Sequence, residues 1–167
     1  IRLRWLAVEG QSAAVMVVAY GFDFPLPVSI CFALIACSAW LNMFLAFRYP
    51  AAQRLKPSAA FNLLMFDSIQ LAGLLYMTGG LTNPFSLLLT VPVVISAPSL
   101  PLRLTSLLGG LVMAAATVLV FFHLPLPWID GQRLDIPFVY VVGMWMAVFS
   151  CISFTGLYAF RVAEEAR

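Results

Sequence analysis

The residues best placed to do chemistry lie in one stretch. Asp67, Gln70, Leu74 and Thr78 recur at i, i+3, i+7 and i+11, so in a helix they share one face. That face leads into residues 79–85, GGLTNPF. A carboxyl, an amide and a hydroxyl along an otherwise apolar helix suit a ligand with a polar head and a greasy tail. They do not suit hydrolysis or metal binding. No paired His, GxSG or CxxC arrangement occurs, so no catalytic residue and no metal ligand is assigned. The lone histidine, His123, sits in FFHLPLP between apolar residues and prolines and reads as interfacial. Cys31, Cys37 and Cys151 are odd in number and lack the spacing of a metal site or disulfide framework. They read as small packing residues, so redox chemistry here needs another carrier.

Two readings of this stretch stand side by side. In the first, it is simply a turn. Gly79 and Gly80 take the left-handed conformation that closes a helix, Asn83 is an N-cap, and Pro84 suits the first helical position. Leu81 and Phe85 fall outside that explanation, although apolar residues are common at a membrane interface. In the second, the turn is the mouth of a binding site. Asp67 divides in the same way. It lies eleven residues from Lys56 and twelve from Gly79, which places it near mid-bilayer. There it is either a functional group or a neutral side chain hydrogen-bonded to the next helix.

The elements that must hold these residues are membrane helices. Hydrophobic residues make up 63% of the chain and charged ones 10%, outside the soluble range. Six apolar runs are marked off by charges, Pro and Gly: Trp5 to Phe22, Val28 to Phe47, Ala60 to Thr78, Phe85 to Leu100, Leu104 to Phe122 and Ile136 to Phe160. Most approach the ~20 residues of a spanning helix, and helices satisfy their own backbone in lipid. The expected fold is all-α, a polytopic membrane domain with six transmembrane helices. The fourth run is short and carries Pro92 and Pro98, which predicts a kink or a covered position.

Charge sets the orientation. With both termini cytoplasmic, Arg2, Arg4, Arg48, Arg54, Lys56, Arg103, Arg161 and Arg167 lie inside and Arg133 alone outside. The first run precedes further spans rather than a soluble domain, so it does not read as a cleavable signal. A net charge of +2 gives no reason to expect nucleic acid. Glu9 reads as an interfacial charge, and Gln11 and Asn42 as interhelical hydrogen bonds. Gly143, Ala147, Cys151, Thr155 and Ala159 recur every four residues. This small-residue stripe serves either packing within the monomer or a dimer seam.

Taken together, GGLTNPF, the stretch RWLAVEGQ from Arg4 to Gln11, the six runs and the closing RVAEEAR resemble the membrane domain of the RegB/PrrB family of redox-responding bacterial sensor histidine kinases. The family's GGxxNPF turn is matched by Gly79, Gly80, Asn83, Pro84 and Phe85, with Leu81 and Thr82 in the variable places. The resemblance implies ubiquinone as ligand, held by residues 79–85 together with Asp67, Gln70 and Thr78 of the polar stripe. On this view Asn83 offers its amide to a quinone carbonyl and Phe85 its ring face.

The resemblance further implies a homodimer in the bacterial inner membrane. Residues 1–160 form the sensor domain, and 161–167 begin a cytoplasmic signalling helix that runs on uncapped. ATP, the phosphoaccepting histidine, the family's redox-active cysteine and the contact with a response regulator all belong to a cytoplasmic part outside this chain. The rival from another class is a small secondary transporter, built on a broken fourth helix and an intramembrane Asp67. No repeat relates the first three runs to the last three.

Overall fold

The computed structural model describes residues 2–48, 55–126, 128, 131, 132 and 134–165. Every regular element among them is helical: α1 (Arg2–Met16), prolonged by a π turn (Val17–Gly21), α2 (Val28–Arg48), α3 (Pro57–Met77), α4 (Val91–Ser96), α5 (Leu102–Phe121) and α6 (Phe138–Glu165). Two 3-10 segments, Gly80–Thr82 and Pro84–Thr90, join α3 to α4. The all-α class is therefore as expected. Among the described residues four helices are long and apolar enough to cross a membrane: α2, α3, α5 and α6 up to Val162.

The other two runs differ from simple spans for local reasons. The first carries Arg4 and Glu9 and changes from α to π geometry at Val17. The fourth is 3-10 for seven residues and α for six, a rise of about 23 Å against the ~30 Å of a bilayer core. Its prolines explain this. Pro84 and Pro92 each sit in the first turn of a helical segment, where a missing N–H costs nothing, and Pro98 follows the end of α4. Of the residues behind the charge count, Arg54, Arg133 and Arg167 lie outside the described residues.

Two hydrophobic clusters hold the helices together. The larger joins α3, the 3-10 segments, α4, α5 and α6 through Leu75, Leu81, Leu89, Val93, Leu108, Val112 and Val148. The smaller ties α2 to α3 through Cys31, Ile35 and Leu74, with Val8 and Val15 of α1 against it. On α5 the buried positions are Thr105, Leu108, Gly109, Val112, Ala116 and Leu119, one face at helical spacing. The molecule is thus a four-helix core with the α1–α2 hairpin leaning on α3. A seam runs between the two parts.

The small-residue stripe of α6 does not form a single face. Four residues overshoot a 3.6-residue turn by about 40°, so from Gly143 to Ala159 the stripe winds about 160° around the helix. Gly143 and Ala147 face outward, Cys151 and Thr155 are half-buried, and Ala159 is buried. Val148, next to Ala147, is fully buried. The lower half of the stripe packs inside the monomer, leaving only the upper half for a partner.

Candidate ligand cavity beside the GGLTNPF turn

The turn is built almost wholly from its own polar groups. Gly79 has φ 101° and Gly80 φ 58°, a left-handed backbone that other residues adopt only at a cost. Space excludes side chains here as well. A Cβ on Gly80 would lie 2.6 Å from the Leu119 carbonyl oxygen and 2.7 Å from the His123 ring, and one on Gly79 would lie 2.8 Å from Leu126 Cβ. The Thr82 hydroxyl donates to the Gly79 carbonyl at 2.6 Å. Asn83 accepts from the Phe85 N–H at 2.9 Å, the cap expected of it. Its amide nitrogen also donates to the Thr78 carbonyl and to the Thr78 hydroxyl, at 3.1 and 2.9 Å.

That last pair changes the role expected of Asn83. The amide nitrogen meets two acceptors, both on Thr78, so it is committed to holding the turn. Thr78 in turn donates its hydroxyl to Leu74. Leu81 is fully buried in the core. The turn also reaches the far end of α5. His123 Nδ1 donates to the Leu119 carbonyl at 2.9 Å, and the Leu124 N–H donates to the Tyr76 carbonyl at 2.8 Å. His123 is therefore a packing element against Gly80, not simply an interfacial residue.

Beside the turn, in the seam between hairpin and core, lies a cavity of about 500 Å³, within the ~300–1,000 Å³ of ligand sites. Leu71, Leu74, Leu75 and Cys31 form its buried wall, and Ala14, Val15 and Val18 face them from α1 and its π turn. Phe22, Phe85 and Leu88 line it while facing outward, so they mark the mouth. Phe24 and Trp128, edge to face with ring centroids 5.0 Å apart, link two loops across its rim. Of the residues expected at the site, Thr78, Asn83, Pro84 and Phe85 line the cavity. Gly79, Gly80, Leu81 and Thr82 shape the turn behind it, and Asp67 and Gln70 lie off it.

Asp67 and Gln70 point instead at α1. Arg4 Nη2 meets Asp67 Oδ1 at 2.7 Å, with 14% and 26% of the two side chains exposed. Arg4 is thus not a free cytoplasmic cation but the partner of the acid. Gln70 Nε2 donates to Gln11 Oε1 at 3.0 Å, and Gln11 Nε2 returns a bond at 3.4 Å, the interhelical role expected of Gln11. The α1 and α3 backbones do not pack closely. Long polar side chains span the gap between them, and the cavity occupies its continuation toward the turn. Among the described residues no group of three or more His, Cys, Asp or Glu could hold a metal.

Two curated proteins share this sequence along its whole length. Both are named Sensor histidine kinase RegB, one from Cereibacter sphaeroides and one from a designated strain of that species, and they are 42% and 44% identical over 167 residues. The chain belongs to the RegB/PrrB family. It spans 36% of the length of each of these relatives. No family model and no solved structure matches it. In this chain GGLTNPF is a capped and tightly packed unit that presents Pro84 and Phe85 to the cavity.

Proposed function

We propose that this chain is the membrane redox-sensing module of a two-component sensor histidine kinase and that it binds ubiquinone in the cavity beside the GGLTNPF turn. One observation carries the reading: an apolar cavity of ligand size is walled by Asn83, Pro84 and Phe85 of the family's turn. A quinone fits between α1 and the leucines of α3, with Phe85 packing against its apolar part, while the isoprenoid tail leaves past Phe22 and Leu88 toward lipid. The transporter reading keeps the broken fourth helix but loses its acid, because Asp67 is paired with Arg4 and lies off the cavity.

The output follows from what lies behind the turn. Leu81 and Leu89, on the side away from the cavity, share a core with Val141 and Val148 of α6. A ligand acts only through unequal affinity for two states, and a shift of the turn reaches α6 through these contacts. Helix α6 then carries the bias toward cytoplasmic kinase domains that bind ATP and act on a response regulator. The chain crosses the bacterial inner membrane six times with both ends cytoplasmic, and two copies associate through the outward-facing Gly143 and Ala147.

Two experiments bear on these statements. Replacing Ala14 with Phe fills the cavity from α1 without touching the turn. It is expected to weaken binding of a short-tailed ubiquinone analogue at least ~10-fold with little change in melting temperature, because the added ring enters existing space. Unchanged affinity would refute the site. In a background lacking the native cysteines, Gln53→Cys and Gln132→Cys are expected to label from opposite sides of the membrane, and Ala147→Cys to crosslink to its own copy. Labelling of both glutamine positions from one side would rule out six spans, and absence of the crosslink would rule out the seam.

A further inference from the structure

The cavity contains one side chain that can serve both redox forms of a quinone, and it is not in the GGLTNPF turn. Thr78 and Asn83 spend their donors on Leu74 and on Thr78 respectively. Gln11 does not. It lines the cavity and shares a reciprocal pair with Gln70 that engages one of its two N–H groups and one of its two acceptor positions. One donor and one acceptor remain. The other polar groups in the lining are the Trp128 indole, which only donates, and the Cys31 thiol, a weak donor. Eight residues of α3 separate Gln70 from Thr78, about 12 Å along the axis, so a head group bound at Gln11 sits toward the far end of the cavity from the turn.

Resting on the quinone reading above, we infer that Gln11 is the head-group contact: its free amide N–H donates to a ring carbonyl of the oxidised form, and its Oε1 accepts from the hydroxyl of the reduced form. The Gln70 pair fixes the amide so that both groups are presented without rotation. The turn then supplies the aromatic and apolar wall, and Gln11 supplies the polar recognition. It is a specificity residue on α1, the helix whose position against α3 is set by the same glutamine pair.

The test uses the protein in lipid nanodiscs with an oxidised short-tailed ubiquinone analogue, read by affinity and by the infrared carbonyl stretches of the bound quinone. In the wild type one of the two stretches is expected at lower frequency than in lipid alone. Gln70→Leu, which leaves Gln11 in place, is expected to keep that shift and an affinity within about twofold of wild type. The double variant Gln11→Leu/Gln70→Leu, which removes both amides together and strands neither, is expected to lose the shift and to bind about fivefold more weakly or worse. Two unshifted carbonyls in the wild type would overturn the inference whatever the variants do, and so would equal losses in the single and double variants. If Ala14→Phe blocks binding but the carbonyls are unshifted, Gln11 alone is wrong. If Ala14→Phe leaves binding intact, the cavity reading falls and the Gln11 contact with it.

Discussion

Gly80→Ala is expected to be the most damaging single methyl that can be added to the turn. Its φ of 58° is one that alanine adopts at a cost, and the new Cβ would lie 2.6 Å from the Leu119 carbonyl and within 2.8 Å of two His123 atoms. Backbone has to move, because Leu119 is held in α5 and His123 is anchored to it. Overpacking and left-handed strain together should cost about 2–5 kcal/mol. Thermal unfolding in detergent measures it, with Gly110→Ala as the control. A Cβ there meets nothing within 4 Å, and alanine in a helix should be neutral or slightly stabilising. Equal melting temperatures for the two variants would show that Gly80 is not held as described.

The second large effect belongs to the ion pair between α1 and α3. Asp67→Leu leaves the Arg4 guanidinium largely buried beside an apolar partner, and removing one member of such a pair costs about 3–5 kcal/mol. Arg4→Leu/Asp67→Leu removes both charges and should recover most of that loss, since well-packed apolar replacements of buried pairs are often neutral. The coupling appears in a double-mutant cycle of unfolding free energies. It should change little with salt, because screening acts weakly on buried charges. Additive losses in the double variant would mean that the two residues do not stabilise one another.

These two predictions mark where the sequence was readable and where it was not. The caps at Asn83 and Pro84 and the left-handed glycines are local signals, and all four residues adopt the expected geometry. The reason Gly80 must be glycine is not local. It depends on Leu119 and His123 arriving from the end of α5, which no spacing within the turn reveals. Likewise the period of the Asp67 stripe correctly grouped four residues on one face, but periodicity does not say what faces them. The partner of Asp67 is 63 residues away, in a cation whose position near the start of the chain made it look like an orientation signal. A buried acid on one helix is itself a reason to search for a cation on another, and Arg4 was the candidate in RWLAVEGQ.

The same limit explains the cavity and α6. Prolines announced the irregular fourth segment, whereas the cavity comes from the failure of α1 and α3 to pack, together with loop residues Phe24 and Trp128 that follow no period. On α6 a four-residue repeat looks like a face over two turns and drifts off it over five, because the helix turns every 3.6 residues. Ala147 and Ala159 therefore end on different sides of one helix.

The central claim is that a quinone occupies the seam between the α1–α2 hairpin and the four-helix core, beside the GGLTNPF turn. It is tested most directly by photolabelling the protein in nanodiscs with an azido-ubiquinone analogue and mapping the adducts by mass spectrometry, with excess unlabelled analogue as competitor. The account predicts competable adducts on Phe85, Leu88, Leu74 and on Ala14, Val15 and Val18 of α1 and its π turn, with none on the α5–α6 cleft around Gly109 and Ile152. Competable adducts confined to that cleft, or spread evenly over the lipid-facing surfaces of all helices, would contradict it.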